Sequence, residues 1–538
     1  MTKRYLVLFT VGPVQSFISS ARKIEDFWSG SYLLSHLIRE ALRNLYKNAP
    51  TFQLVFPVLS REEIDNPNHD TLHIASLPNR FTAIIEGDMN KVIEHLQETE
   101  KEIKEAFLDV CGFAIKTLFA SLPDEKRSYL LKATEEQIDA LLEMYWVIEP
   151  FADEDNFKLV REKLESRLGA LKNDKQYPQV EQLGLTCSVC HERDALCAKH
   201  ISEKDRYGDM KRKLARTWDK RDRRFKGEKV QRIRDNEFLC GICTGKRLAR
   251  DYFKFFYNFS KGFRGFNSVT ELTSANQSYY AILMMDGDNM GSLFSGERME
   301  SYSEVSKKLA TFAMDAVPKI VEKEVRAQLV YAGGDDVLAF MPVQDALKIA
   351  NDLRFAFSSE EEGLGKGATA SAGLVIGHEK APLQGLLNEV RNLEKKAKSY
   401  RKGQTVKNAL AIGVHTRAGE ISETVLPWTI GDTRTIEQLE RIISLLKEEL
   451  SSTFVYTFME AFAPLLHPTV KDYEKIASRE MVEVELRRLL KRSVKGRLNN
   501  ETVEEAVQYL VTLHDCSPTT MDFLHLLKIL TFFERKEE

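Results

Sequence analysis

The chain has 538 residues, too many for one hydrophobic core, so three or four domains are expected. Hydrophobic residues make up 43% and charged residues 29%, with a formal net charge of −3; this is an ordinary globular composition, and bulk charge is excluded as a way of binding polyanions. No run of about 18 apolar residues occurs, the N-terminus has no signal-peptide pattern, and seven cysteines are an odd number for a disulfide framework, so a cytoplasmic protein with no membrane partner is expected.

Hydrophobic periodicity divides the chain into four regions, 1–168, 169–275, 276–425 and 426–538. The first opens with an apolar strand, Tyr5 to Val11, a Gly12-Pro13 turn and a long amphipathic helix from Gln15 to Leu45. Strands follow at Phe52 to Pro57 and Phe81 to Ile85, then a helix from Met89 to Leu118 and a strand at Tyr145 to Ile148. The order is β-α-β-β-α-β. The second region holds the paired cysteines and a basic segment. The third repeats the first pattern: strand Tyr279 to Met285, helix Ser303 to Val325 interrupted at Pro318, strands Gln328 to Ala332 and Val337 to Met341, helix Val343 to Ser358, strand Ala368 to Ile376, helix Leu383 to Tyr400 and a closing strand Asn408 to Val414. From Thr435 onward, apolar spacings of three and four predict a helical bundle. The expected fold class is α+β: two ferredoxin-like palm domains, a zinc-binding α-rich insert and a C-terminal helical bundle.

Tyr331-Ala332-Gly333-Gly334-Asp335-Asp336-Val337-Leu338 reads as a tight hairpin with two carboxylates at its tip. A second acidic segment, Asp286-Gly287-Asp288-Asn289-Met290-Gly291, ends the strand that neighbours this hairpin in a palm sheet. Asp286, Asp335 and Asp336 then converge, and three carboxylates need cations: two Mg²⁺ or Mn²⁺, the arrangement used for phosphoryl and nucleotidyl transfer. Taken alone, a Gly-Gly-Asp-Asp turn is also what a solvated loop looks like. Asp288 is a metal ligand, a helix cap or a solvated residue. Gly287 to Gly291 and Gly333-Gly334 let backbone approach a triphosphate, and Lys398 is the preferred lysine for neutralising it.

Cys187-Ser188-Val189-Cys190 and Cys240-Gly241-Ile242-Cys243 are two C-x-x-C pairs that together suit one structural, tetrahedral Zn²⁺. Cys197 and His200 form a C-x-x-H that is an alternative source of two ligands, whereas Cys111 and Cys516 fall on helical patterns as packing residues. Between Lys199 and Arg234 there are fifteen Lys or Arg against six Asp or Glu, a net of +9; the segment is either a phosphate-backbone patch or a solvated loop.

Thr10-Val11-Gly12-Pro13-Val14-Gln15-Ser16-Phe17-Ile18, with Ala21-Arg22-Lys23, Trp28 to Leu34, Pro78 to Phe81, the two acidic segments and Ser371-Ala372-Gly373, resembles the large palm subunit of type III CRISPR effector complexes, most closely the Cmr branch (type III-B). The resemblance covers nearly the whole chain. It implies two cyclase-like palms, only the second catalytic, and synthesis of a second messenger from ATP, usually a cyclic oligoadenylate, when target RNA binds. It implies metal ligation by Asp286, Asp335 and Asp336, a second nucleotide pocket using Gly12, Pro13, Val14 and Gln15, and partners among complex subunits, CRISPR RNA and target RNA. Many family members start with an HD nuclease domain. The His-Asp pairs here, His69-Asp70 and His514-Asp515, lack flanking histidines, so DNase activity is not expected. The rival expectations are an RNA-binding scaffold of the same complex and a diguanylate-cyclase-like enzyme; Val337 after Asp336 departs from the latter.

Overall fold

The computed structural model describes residues 3–65, 74–152, 156–174, 182–222, 232–257, 269–273, 278–294, 299–323, 326–403, 405–462, 478–495 and 500–536. The chain divides into two compact units, one of residues 1–266 with 291–310 and 330–334, the other of 267–290, 311–329 and 335–538.

In the first unit, β1 (Lys3–Gly12), β2 (Gln53–Phe56), β3 (Arg80–Gly87) and β4 (Glu143–Pro150) form an antiparallel sheet of order β2-β3-β1-β4. β1 is the centre, with Leu6 opposite Ile84 on β3 and Glu149 on β4. Residues 5–11 of β1 are all buried, as a continuous apolar run requires of a strand covered on both faces. On one side Leu6 and Leu8 pack with Leu164 and Leu168 of a helix at Phe157–Asn173, an element the sequence reading did not assign.

The predicted helix from Gln15 to Leu45 is a short helix α1 (Gln15–Ser19) followed by α2 (Ile24–Asn48). The break has a cause: the Asp26 carboxylate accepts the backbone N–H groups of Arg22 and Lys23, at 3.0 and 3.1 Å, and so caps a new helix start. Asp26 also holds Arg247 through two hydrogen bonds of 2.6 and 3.0 Å, all of it buried. Arg247 lies on α3 (Gly241–Phe256), the helix that carries the second cysteine pair, so this fork fastens the cysteine-bearing insert to the first palm. A further unassigned helix, Asp124–Leu141, buries only Leu130, Thr134, Ile138 and Leu141, a stripe too narrow to stand out by hydropathy.

The second palm is a six-stranded sheet, most of which lies in the second unit. β5 (Tyr279–Gly287), β6 (Gln328–Gly333), β7 (Asp336–Pro342), β8 (Ala370–His378), β9 (Ala409–His415) and β10 (Ile421–Pro427) take the order β10-β9-β8-β5-β7-β6. Its β8-β5-β7-β6 part repeats the strand order of the first sheet. The helix predicted from Ser303 to Val325 is an α-helix, Met299–Thr311, a π-helical turn, Phe312–Ala316, and a last turn, Val317–Val321. Pro318 sits in the first turn of that last piece, where its missing N–H costs nothing, and the widened π turn absorbs the break. α4 (Val343–Phe357) and α5 (Leu383–Lys398) cover the sheet, and α5 connects β8 to the parallel β9. β9, expected to close the domain, is instead paired on its outer side with β10. Among the described residues five helices complete the unit: Thr435–Glu448, Thr453–Phe462, Arg479–Arg492, Asn500–Cys516 and Thr520–Lys536. Among the described residues, no helix is long and apolar enough to cross a membrane.

Candidate active site

Towards the end of β5, alternate residues emerge from the core: Met285 is buried while Met284 and Asp286 are half-buried. β7 runs beside it, with Met285 opposite Val337. The β6–β7 connection is Gly334-Asp335, and Gly334 has φ +74°. A two-residue hairpin with positive φ at its first position needs glycine there, and it places Asp335 and Asp336 next to the end of β5. Gly287 completes the approach, because a Cβ on it would lie 2.9 Å from the Asp335 Cβ. One carboxylate oxygen from each of Asp286, Asp335 and Asp336 lies within 4.8 Å of the others. Surrounding protein mass, the charge of Asp335 and the charge of Glu394, in that order, push the Asp336 carboxyl up to about 8. Asp336 is nevertheless exposed by surface area, so repulsion between the carboxylates is the part of that shift that survives hydration. The donor set therefore suits hard divalent cations, with oxygen ligands only.

Lys398, at the end of α5, contacts Asp286 directly and lies 3.5 Å from Glu394 one turn earlier. Burial and the nearby Lys407 pull its ammonium down to about 8. The Asp286 carboxylate beside it acts in the opposite direction. Lys407 in turn donates to the Asn289 side chain at 2.7 Å. Glu394 and Lys407 were missed in the sequence. Glu394 was legible as the i−4 neighbour of Lys398 on one helix face; Lys407 carried no local signal.

Asp288 is not placed with the other three acids. It is 3% exposed and its carboxylate accepts the Thr369 hydroxyl at 2.9 Å, the Ser371 hydroxyl at 2.8 Å and the Asn408 backbone N–H at 3.0 Å. Its own N–H goes to the Thr369 carbonyl at 2.7 Å. Buried and bonded in this way, Asp288 does not face water, and its carboxylate pins the loop after β5 to β8 and to the residue before β9. Asn289 follows at φ 54°, and Met290–Leu293 form a single helical turn in which Gly291 has open space around its Cα. In the first unit, Gly12 ends β1, Gly12-Pro13 is a cis peptide, and Gln15 is the exposed start of α1.

The four cysteines of the two C-x-x-C pairs meet, with one sulfur from each inside 4.8 Å of the rest and Cys190 to Cys240 at 3.9 Å. Each pair folds as a knuckle: the Val189 N–H points at Cys187 Sγ (3.4 Å) and the Cys243 N–H at Cys240 Sγ (3.3 Å). Hydrogen bonds from Cys187, Cys240 and Cys243 hold the Cys190 thiol far below its usual range, while Cys240 and Cys243 are pushed up, Cys240 chiefly by burial and Cys243 chiefly by the Cys187 hydrogen bond. Four thiols thus share negative charge in a closed, mostly buried tetrad, a donor set that fits zinc and leaves no ligand position open. Cys197 lies outside it, against the Thr217 hydroxyl at 3.9 Å, and the His200 carbonyl accepts from Lys213; neither replaces a tetrad ligand. Cys111 is buried beneath Gly245.

The basic segment is less free than its charge suggests. Arg221 is 3% exposed and bonds Asp235 at 2.6 Å, and Lys213 bonds Asp205 at 2.6 Å. Arg223 and Arg224 lie outside the described residues, as does His69-Asp70. Of the other His-Asp pair, His514 is buried and Asp515 is paired with Arg479.

Comparison with known proteins follows the same division. The family model for the Cas10/Cmr2 second palm domain matches residues 279–411, from the first residue of β5 into β9, and that for the Cmr2 N-terminal region matches residues 6–112. The CRISPR system Cmr subunit Cmr2 of Pyrococcus furiosus is 26% identical over 632 aligned residues, covering 93% of this chain and 70% of the relative. Among solved structures, the apo type III-B Cmr-beta complex matches with TM-score 0.69 at 13% identity, over 99% of this chain and 82% of that one. The Csm1–Csm4 cassette in complex with cA4 matches with TM-score 0.52 at 13% identity, over 99% and 70%. One model lies on each ferredoxin-like sheet and the curated relative spans both, so the chain is similar to Cas10/Cmr2 subunits in its N-terminal region and in its second palm domain.

Proposed function

We propose that this chain is the nucleotidyltransferase subunit of a type III RNA-guided effector complex, and that its second palm makes an ATP-derived second messenger, a cyclic oligoadenylate, when target RNA is bound. The observation that carries this reading is the meeting of Asp286, Asp335 and Asp336 at the joined ends of β5 and the β6–β7 hairpin. The names of the relatives add support: a Cmr subunit, and a similar fold, the Csm1–Csm4 cassette, in a crystal structure with cA4.

In this reading the three carboxylates hold two Mg²⁺ or Mn²⁺ ions, which when bound lower the barrier for attack of a ribose hydroxyl on the α-phosphate of ATP and neutralise the departing pyrophosphate. The protein's own part is positioning. β5 and β7, locked in register, set the spacing of the acids; the inward-facing Asp288 fixes the loop that follows. Lys398 neutralises Asp286 in the free chain and supplies an ammonium to phosphate oxygens when nucleotide is bound. The cysteine tetrad takes one structural Zn²⁺ and has no part in the chemistry. The first palm contributes the Gly12 to Gln15 loop to a second nucleotide pocket. Partners are the other complex subunits, CRISPR RNA and target RNA.

The test is mass spectrometry of products and pyrophosphate release from ATP, with the assembled complex and target RNA, for wild type and the Asp335→Ala/Asp336→Ala double variant. Adenylate oligomers from wild type alone support the assignment. Wild-type rates in the double variant would refute it, and products from GTP but not ATP would favour a guanylate-specific enzyme.

A further inference from the structure

Away from both clusters already described, α5, β9 and β10 bring three more metal-ligating side chains together. Glu389 of α5, His415 of β9 and Glu423 of β10 each offer one ligand atom within 4.8 Å of the other two. The placement follows from the strand register. Glu423 is opposite Gly413, and His415 lies two residues beyond Gly413 on the same strand, hence on the same face. α5 lies on that face: the Gly413 position abuts its Leu393, so Glu389, one turn earlier, reaches the same spot. We propose that Glu389, His415 and Glu423 form a separate divalent-metal site that fastens α5 to the β9–β10 edge of the second sheet.

Two features of the cluster ask for a cation. The Glu389 and Glu423 carboxyls lie side by side, and burial, a hydrogen bond to the Glu423 carboxyl and the charge of Glu423 raise the Glu389 carboxyl against a lowering hydrogen bond from Asn392, so a cation between them relieves their repulsion. His415 Nε2 is buried with no hydrogen-bond partner among the described residues. Burial lowers that imidazole, against the charge of Glu423, and so favours the neutral form that ligates metal. The nearby cation does not serve both needs. Lys396 Nζ is 4.0 Å from Glu423 but 2.9 Å from Asp522, its closer partner, and it offers nothing to His415. The His525 ring is engaged with the backbone of Glu423.

One imidazole and two carboxylates suit a divalent transition ion, Zn²⁺ first among those commonly available. Bonds of about 2.0–2.1 Å in a tetrahedral shell put ligand atoms roughly 3.3 Å apart, so modest side-chain rotation closes the present spacing. Three protein ligands leave a fourth position for water. Because α5 also carries Glu394 and Lys398, an ion here stiffens the helix that faces the acidic triad. The inference is independent of the proposed nucleotidyl transfer, since it concerns binding and not turnover.

The experiment is metal counting on the full-length chain. Protein is dialysed against Zn²⁺ with a large excess of Mg²⁺ to fill the aspartate triad, and bound zinc is measured by plasma mass spectrometry. Wild type is expected to hold one more zinc equivalent than Glu389→Gln and than His415→Ala. Glu389→Gln preserves shape, so it reports even if the histidine variant fails to fold, and its melting temperature in EDTA is expected to match wild type in EDTA. The Asp335→Ala/Asp336→Ala variant is expected to keep the extra equivalent. Equal zinc content in wild type and Glu389→Gln would overturn the site.

Discussion

The two palms share a strand order and differ in chemistry at one place. β1 runs out into Val11-Gly12-Pro13, one residue past its end, and β5, its counterpart, into Asp286-Gly287-Asp288 in the same way. In the first palm the second and third strands are separated by residues 57–79; in the second, Gly334-Asp335 alone joins them. The apolar pattern that builds the sheet is therefore separable from the few residues that arm it. A βαββαβ sheet is a scaffold, and the proposed function rests where a tight turn and a strand end each present acid. The first palm has taken a different use for its surroundings: α2 is buried over most of its length and, through Asp26, anchors the cysteine-bearing helix.

Four measurements break or sharpen that comparison. Asp335→Ala/Asp336→Ala is expected to lower the rate of pyrophosphate release from ATP by at least ~10²–10³-fold, the scale for loss of a transition-state charge stabiliser; full activity would mean the second palm is not the armed one. Cys190→Ser opens a four-thiolate shell and is expected to weaken zinc by more than the ~10–100-fold that losing a hydrogen-bond partner of a metal ligand costs, read by competition with a chelator. Unchanged zinc affinity would remove the tetrad as the structural centre of the first unit. Gly334→Ala places a side chain at φ +74° and is expected to cost about 1–2 kcal/mol in thermal or denaturant unfolding, with reduced turnover because the hairpin tip shifts. No change in either would show that the tight turn does not set the acids. The smallest effect is expected in the first palm: Gln15→Ala should raise KM for ATP by less than roughly tenfold, about 1.4 kcal/mol, and leave kcat near wild type, as loss of a binding contact does. A collapse of kcat would mean the first palm takes part in chemistry.

Much of this was legible in the sequence because it rests on short-range spacing. Strands β1 and β5 announced themselves as apolar runs, the hairpin by Gly-Gly-Asp-Asp, and the tetrad by two C-x-x-C pairs. What failed locally failed for identifiable reasons. The single helix predicted across Ser20 to Lys23 ignored the side chain of Asp26, whose capping role needs a three-dimensional turn. β10 was missed because pairing with β9 is a long-range choice.

The sequence by itself determined most of the strands and helices and which residue types sit at strand ends and turn tips, since backbone periodicity and turn sterics act over a few residues. Only the tertiary structure decided which of those side chains share a site. It turned Asp288 inward to Thr369, Ser371 and Asn408, left Cys197 outside the tetrad, set Lys398 on Asp286, and brought Glu389, His415 and Glu423 together. Those outcomes depend on how elements far apart in the chain pack and register, and neither periodicity nor motif spacing encodes that.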